Sequence, residues 1–291
     1  MSIKEIICHK KQFDREEVLK LLKDGRKEAI LDYDLRDADL VGANLSRTVL
    51  SGANLSYANL KGAELTNSFL DGAVLKGANL TNALFFGAVL DGADFSGAFL
   101  MGADLNNADL RDVNLTNAVL SGAILFWADL RGAFLTGVDF SNADLLCADL
   151  SGANLSGANL SNADLSKADF SNADLNGANL SGANLSNADL SYTDLSYTDL
   201  SHTDLNGAVL NGAVLNGADL RGADLDYSCY PLSRGSLHLK ADKRLACQLA
   251  YYLCSLQCND ADYIKMRNSI LDFANQFHRV DECGKLEEME L

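Results

Sequence analysis

A strict period of five residues governs most of this chain. From Leu35 to Leu225 every fifth residue is Leu or Phe, which makes 39 consecutive units without one slip in phase. This period matches neither an α-helix, with about 3.6 residues per turn, nor a long alternating strand. A short extended piece followed by a turn, when it is repeated, winds instead into a coil. Because no single unit can bury its apolar face alone, such coils must stack on one another.

Each phase of the repeat has its own expected role. Ala fills 31 of the 39 positions two residues before the Leu position, and residues two apart in an extended segment point to the same side. Two residues after the Leu position, at what we call the corner, 20 units carry Gly and 8 carry Asn. These two residues tolerate a positive φ best. We therefore expect Leu and Ala inside the coil and Gly or Asn at its turns.

The unit A-[DN]-L-x-x, as in SGANLSGANLSNADL over residues 151–165, resembles the pentapeptide-repeat protein family. The resemblance covers about two thirds of the chain, and the uninterrupted repeat is similar to that of cyanobacterial members. It implies an all-β solenoid, a right-handed quadrilateral β-helix with four units per coil and hence nearly ten coils. At ~4.8 Å per coil, the spacing of paired strands, the rod would be ~46 Å long.

The segments flanking the repeat are expected to close its two ends, where core Leu and unpaired backbone would otherwise meet water. We assign residues 1–30 to an N-terminal helical cap and residues 31–229 to the β-helix. Residues 230–291 form a C-terminal helical segment, and its acidic tail, residues 281–291, is expected to be mobile.

Helix signals are clear on both sides of the repeat. Asp14 followed by Glu17 predicts a helix start, and Gly25 predicts its end. Apolar spacing predicts two further helices, Leu239–Gln257 and Asp260–Phe277. The first carries Leu at helical spacing, at Leu245, Leu249, Leu253 and Leu256. This C-terminal hairpin either caps the solenoid or pairs with a second chain in a homodimer, and both alternatives are open.

Charge narrows the class of partner. The net charge is −16, which argues against direct nucleic-acid binding and against binding to anionic membranes, since both require a basic surface. The start of the chain has no apolar signal core, and no run approaches the ~18 apolar residues of a membrane span. We therefore expect a cytoplasmic protein with free thiols.

The chain shows no catalytic constellation. Its four His are scattered, and catalysis needs unlike groups held together. We therefore predict no enzymatic activity, no cofactor and no metal site. Cys247, Cys254 and Cys258 share one helix face, and they either pack as small apolar residues or bind a metal with help from His238.

One outward column is acidic. If residues twenty apart stack, five Asp follow one another in the position before Leu. They are either solvated and bonded to local backbone, or an anionic face for a basic partner. Residues 34–225 hold 8 basic and 23 acidic side chains, about one net charge per ~3 Å against one per ~1.7 Å in duplex DNA. This acidic ladder comprises Asp109, Asp129, Asp149, Asp169 and Asp189.

A second outward signal is apolar. Over residues 151–204 the outward positions are almost wholly small or polar, whereas the first half of the repeat carries large apolar side chains there. Such a patch indicates either a partner surface, or a surface covered by the N-terminal segment or by self-association. The candidate partner-binding residues are Phe69, Leu84, Phe86, Val89, Ile124, Phe126, Trp127 and Leu146.

These features favour a non-enzymatic scaffold or regulator that binds a protein through the outer faces of the β-helix. The resemblance implies the same class, since some members regulate differentiation by binding a transcription factor. The alternative that the resemblance implies is a DNA-mimic inhibitor of a type II topoisomerase such as gyrase.

Overall fold

The computed structural model describes residues 12–25, 34–228, 240–254, 261–276, 280 and 285–287. Along the repeat, parallel β-bridges join residues twenty apart, from Asp39 with Asn59 to Asp204 with Asp224. Four five-residue units therefore complete one coil, as expected. Each bridge is an isolated residue pair, so the described residues contain no strand of conventional length.

Backbone hydrogen bonds repeat with the same twenty-residue return. The amide of Leu55 donates to the carbonyl of Val74 at 2.7 Å, and the amide of Val74 donates back to the carbonyl of Ala53 at 2.9 Å. The corner amide of Gly62 donates to the carbonyl of Thr81 at 2.9 Å. Because these bonds join backbone to backbone, stacking of the coils does not depend on the outward side chains.

The interior consists of the Leu and Ala positions, which confirms the predicted inward phases. Every side chain at the Leu position from residue 35 to residue 225 is at most 3% exposed. Four of these side chains are Phe. Phe85 and Phe95, two units apart, lie on opposite faces of one coil and meet edge to face, with ring centroids 6.1 Å apart. The other two are Phe140 and Phe170.

The corner residues adopt the left-handed backbone conformation that the Gly and Asn pattern predicts. All 39 corner positions from Asp37 to Tyr227 have positive φ, 20 of them Gly and 19 other residues. Asn is the commonest of the 19, as expected from its tolerance of this region. The corners therefore turn the chain at every fifth residue.

The N-terminal helix α1 spans Arg15–Lys23. Its predicted start is confirmed, because the carboxylate of Asp14 accepts a hydrogen bond from the amide of Glu17 at 2.9 Å. Its predicted end is confirmed as well, because Gly25 follows the last turn with φ 75°.

Helix α1 packs on the first coil. Val18 and Leu22 are buried in one apolar cluster with the Leu and Ala positions of the solenoid. The guanidinium of Arg15 lies 3.1 Å from the carboxylate of Asp39 and donates to the carbonyl of Val41 at 3.3 Å. These contacts place an amphipathic helix beside the first turns of the rod.

Two helices follow the repeat, α2 over Lys243–Cys254 and α3 over Ala261–Ala274. Both lie within the predicted ranges, Leu239–Gln257 and Asp260–Phe277, but α2 begins four residues later than predicted. The reason is that residue 240 still pairs with the solenoid.

The junction between the solenoid and α2 is made by backbone and one carboxylate. The carbonyl of Lys240 accepts from the amide of Leu220 at 2.9 Å. Asp242 then accepts from the amide of Leu245, inside α2, at 2.9 Å and from the amide of Gly222, on the last coil, at 2.8 Å. These donors hold the pKa of Asp242 below its ordinary value. One side chain thus starts the helix and fixes it to the coil.

Only the first half of α2 lies on the solenoid. Leu245 is buried in the solenoid core and Leu249 packs against it. Leu253, at the next position of the same spacing, is 37% exposed and does not belong to this cluster. Beyond Leu249 the helix packs instead on α3, in a separate cluster of Tyr251, Cys254, Leu271 and Ala274.

Part of the C-terminal tail is held by this hairpin. Buried Arg267 donates to the carbonyls of Cys254 and Glu287, both at 2.7 Å. Asn275 and the backbone of Leu286 exchange two hydrogen bonds of 2.9 Å. The backbone of Leu286 and Glu287 is therefore bound by Arg267 of α3 and by Asn275, which directly follows α3.

Several predicted features lie outside the described residues. They are Leu239, Leu256, Gln257, Cys258, Asp260, Phe277, His238 and the remainder of the tail. Among the helices that are described, none combines the length and the hydropathy of a membrane-spanning segment.

Candidate interaction surface

One face of the coil collects most of the predicted apolar residues. Leu84 pairs with Asp104, and Asp104 pairs with Ile124. Ile124 pairs in turn with Asp144, so these four residues form one column. The first residue after each Leu position lies on the same face. We call it the aromatic face, and its apolar residues are Leu84, Phe86, Ile124, Phe126 and Leu146.

The aromatic face is open to solvent near its middle. Ile124 is 40% exposed and Phe126 is 36% exposed. Trp127, at the corner beside them, is 61% exposed, and its ring lies 5.8 Å from that of Phe126. Among the described residues α1 does not cover them, since its contacts are with the first coil.

The neighbouring face begins apolar and becomes acidic. Phe69 pairs with Val89, and Val89 pairs with Asp109, the first residue of the acidic ladder. We call this the acidic face. Phe69 is exposed and Val89 is half-buried. Both therefore lie one corner away from Leu84 and Phe86, as the sequence predicts.

A polar coil divides the predicted patch. Asp104 stands between Leu84 and Ile124 in their column. On the same coil Asn106 accepts a hydrogen bond from the amide of Phe126 at 2.9 Å. This bond replaces the local acceptor that apolar Ile124 cannot supply. The eight predicted residues thus form two groups, one below and one above this coil, rather than one continuous patch.

The lower part of the acidic ladder is neutralised by Arg. Asp109 accepts two hydrogen bonds from Arg111, at 2.6 and 2.7 Å, which hold its pKa below the ordinary value. Asp129 accepts the same pair of bonds from Arg131, at 2.6 and 2.8 Å. Arg111 also lies 3.8 Å from Asp129, and Arg131 lies 3.7 Å from Asp149.

The upper part of the ladder is bonded to local backbone. Asp169 accepts from the amide of Ser171 at 2.8 Å, and Asp189 makes the equivalent bond two residues ahead. Asn159, in the equivalent position of another column, accepts from the amide of Ser161 at 3.2 Å. Asp and Asn therefore fulfil the same turn-forming role, and the negative charge is not required by the fold.

The aromatic face carries acidic groups that the sequence analysis missed. Asp104 and Asp144 each accept one hydrogen bond, of 3.1 Å, from the amide two residues ahead. Within the described part of the chain, no basic side chain lies within ion-pair distance of either carboxylate. Their position could have been found from the sequence by following the column of Ile124 every twenty residues.

The two Cys residues of α2 are placed as packing residues. Cys247 and Cys254 are each 1% exposed, and burial raises the pKa of both thiols. Their partner in the predicted triad, Cys258, lies outside the described residues. In the ranges that are described, no cluster of three or more His, Cys, Asp or Glu side chains has the geometry of a metal site.

Comparison with known proteins identifies the repeat. The family model of pentapeptide repeats matches the chain in 8 copies. The matched residues are 34–72, 70–107, 83–122, 123–162, 153–191 and 193–226. Among curated proteins, none matches the chain.

Several solved structures are similar to this chain. HetL, a pentapeptide-repeat protein involved in heterocyst differentiation regulation in the cyanobacterium Nostoc sp. strain PCC 7120, is 32% identical, with a TM-score of 0.41. The match covers 80% of this chain and 95% of HetL. QnrB1, a plasmid-mediated fluoroquinolone resistance protein, is 23% identical over 70% of this chain and 96% of its own, with a TM-score of 0.38.

A third similar structure comes from a plant. It is a pentapeptide-repeat protein of the Arabidopsis thaliana thylakoid lumen, 38% identical, with a TM-score of 0.27. The match covers 38% of this chain and 69% of that protein.

Proposed function

Because the chain belongs to the pentapeptide-repeat family, we propose that it is a non-enzymatic, cytoplasmic scaffold or regulator that binds a protein partner through the outer faces of its coil. Proteins of this family fold as right-handed quadrilateral β-helices and are generally structural or interaction proteins. The partner surface proposed here is the aromatic face with its corner Trp127, together with Phe69 and Val89.

The same proposal extends to the ends of the rod. We take the β-helix to have nearly ten coils, closed by α1 at one end and by the α2–α3 hairpin at the other. Burial of Val18 and Leu245 in the solenoid core supports closure at both ends. A homodimer through the two C-terminal helices is the competing role for the hairpin.

The single observation that carries the proposed function is the exposure of aromatic side chains where the fold requires none. Outward positions between residues 151 and 190 complete their turns with Ser, Asn, Asp and Gly, apart from Lys167. Trp127 and Phe126 are nonetheless exposed on the aromatic face. Trp is among the residue types enriched at binding hot spots, where truncation costs about 2 kcal/mol or more.

The test replaces these rings by residues that the repeat itself uses at equivalent positions. In Phe126→Ser with Trp127→Asn, the corner keeps a residue that tolerates positive φ, as at Asn107. The matched control, Tyr192→Asn with Tyr197→Asn, removes two other exposed corner rings. We expect the first pair of substitutions to abolish capture of partners from native lysate without lowering Tm, and the control to retain capture. Equal capture by the unmodified protein and by both double variants would exclude this surface as the binding site.

A second candidate function, DNA mimicry, is favoured by the five consecutive Asp of the acidic face. Replacing Asp149, Asp169 and Asp189 by Asn removes three charges and keeps the acceptor of each turn, as Asn159 shows. A DNA mimic should inhibit supercoiling by gyrase, and this triple variant should inhibit less. Inhibition that the triple variant retains in full would remove the ladder from the mechanism. Absence of inhibition by the unmodified protein would leave the scaffold as the function.

A further inference from the structure

We infer that the surface around Trp127 binds a basic amphipathic helix of the partner protein. In this arrangement two basic side chains of the helix pair with Asp104 and Asp144, and an apolar side chain between them packs on Ile124, Phe126 and Trp127. This inference rests on the proposed function and specifies the chemistry of the partner.

The apolar part of the site is compact and fixed by the backbone. Phe126 and Trp127 form the turn between the aromatic and the acidic faces. The amide of Phe126 is held by Asn106, and that of Trp127 donates to the carbonyl of Leu146 at 3.2 Å. With the amides held, the two rings protrude from a rigid corner. Because the backbone of this corner is already held, binding requires little ordering of the chain.

Negative charge flanks these rings on their own face. Asp104 lies one coil below Ile124 and Asp144 one coil above it. Neither has a basic partner among the described residues, whereas Asp129 on the adjacent face already binds Arg131. Carboxylates that lack a basic partner attract a cation more strongly than those that an Arg already holds. Basic groups of a partner are therefore directed to the aromatic face.

The exposed indole favours the same class of ligand. A Lys or Arg side chain within about 6 Å of a Trp ring gains a cation–π interaction, and Trp is the best aromatic partner for it. Lys167, at the same corner two coils above Trp127, limits the site on that side because it repels another cation. The attraction thus centres on Ile124 and its two flanking carboxylates.

Spacing selects a helix as the ligand. Asp104 and Asp144 are two coils apart, about 10 Å at the spacing of paired strands. On an α-helix, residues seven apart lie on one face and are also separated by about 10 Å. A helix lying along the rod with Lys at positions i and i+7 would meet both carboxylates. Leu at i+3 and i+4 would then face Ile124 and the two rings.

Trp127 is the only Trp of the chain, so its fluorescence reports on this site alone. The probe is a synthetic Trp-free helical peptide with Lys at i and i+7 and Leu at i+3 and i+4. A matched peptide carries Glu in place of both Lys. Titrated into the full-length protein, the Lys peptide should shift the Trp127 emission to the blue, with an affinity that falls as salt is raised. The Glu peptide should bind at least tenfold more weakly.

Two double variants separate this site from the net charge of the protein. Asp104→Asn with Asp144→Asn should weaken binding of the Lys peptide about tenfold. Asp194→Asn with Asp199→Asn removes the same charge from the outward positions of a distant coil and should leave binding unchanged. Equal weakening by both pairs, or an equal shift with the Glu peptide, would overturn the inference.

The outcomes also distinguish this inference from the proposed function. If Phe126→Ser with Trp127→Asn abolishes partner capture but the Lys peptide gives no shift, the surface binds a partner of other chemistry and only the present inference fails. If neither capture nor the peptide depends on these rings, both proposals fail.

Discussion

Single corner residues determine which side chain the following coil can carry. The ring of Tyr192 lies over Gly212, twenty residues ahead, and a Cβ at Gly212 would come within 2.6 Å of it. Tyr197 covers Gly217 in the same way. At Gly152 a Cβ would meet nothing within 4 Å, although its φ is similar. The space above a corner thus depends on the residue twenty positions earlier, and two corners with the same φ differ in what they tolerate.

The first prediction compares two of these Gly residues. Gly152→Ala should cost about 1–2 kcal/mol, because Ala is strained at positive φ. Gly212→Ala bears the same strain and must also displace the ring of Tyr192, so its Tm should be lower than that of Gly152→Ala. Adding Tyr192→Gly to Gly212→Ala should remove the difference, because Gly152 owes its open space to Gly132 twenty residues earlier. Equal Tm values for the two single variants would show that the ring moves aside without cost.

At the scale of elements, features encoded locally could be predicted and those that depend on distant partners could not. Asp14 and Glu17 predict the start of α1 because a helix cap acts over three residues. The late start of α2 could not be predicted, because it depends on Lys240 and Asp242 bonding to the last coil.

The same holds for the candidate site. The position of Trp127 follows from the period, and the pairing of Asp109 with Arg111 follows from their separation of two residues. The approach of Arg111 to Asp129 on the next coil requires three-dimensional distances.

The second prediction concerns Asp242 and the stability of the junction between the last coil and α2. Since the pKa of Asp242 is below that of an unfolded carboxyl, about 3.9, its ionised form stabilises the junction. That stability is present above pH ~4 and is lost as pH falls through the lower folded pKa. Asp242→Ala should remove it at neutral pH as well.

Hydrogen exchange at the amides of Gly222 and Leu245 measures this effect, because both donate to Asp242. Protection of both amides should fall in Asp242→Ala and, in the unmodified protein, as the pH is lowered below about 4. The control is Asp272→Ala on the exposed surface of α3, which should leave both amides protected. Full protection in Asp242→Ala would mean that the carboxylate does not hold the junction.

At the scale of the whole molecule, the rod is a series of coils that each contact only their neighbours. Bridges and amide bonds return every twenty residues, and none of those within the coils joins coils that are not adjacent. Stability is then close to a sum over coils and the interfaces between them. The length of the rod should accordingly be adjustable in whole coils.

Deletion of one coil tests this additivity. Removal of residues 152–171 joins two units in phase, so we expect a folded protein, modestly lower in Tm and ~4.8 Å shorter by small-angle scattering. Removal of residues 152–169 leaves the next unit two residues out of phase and should unfold the adjoining coils. The in-phase deletion should still bind through Trp127, which lies outside the deleted coil. Similar melting of both deletions would contradict a core held by the five-residue period.

The four Phe residues of the core bear on how the chain finds its register while folding. Near-identical coils could pair one coil out of step with little loss of burial, so many misaligned forms would compete with the native one. Counted in units of five, Phe85, Phe95, Phe140 and Phe170 fall on four different faces, one in each column of core Leu. If the chain pairs one coil out of step, each of these rings contacts side chains across the core that it does not contact in the native structure. Oversized side chains of this kind cost about 1–3 kcal/mol where the space is not provided. Four rings that differ in size from Leu thus give one alignment of an otherwise uniform chain the lowest energy.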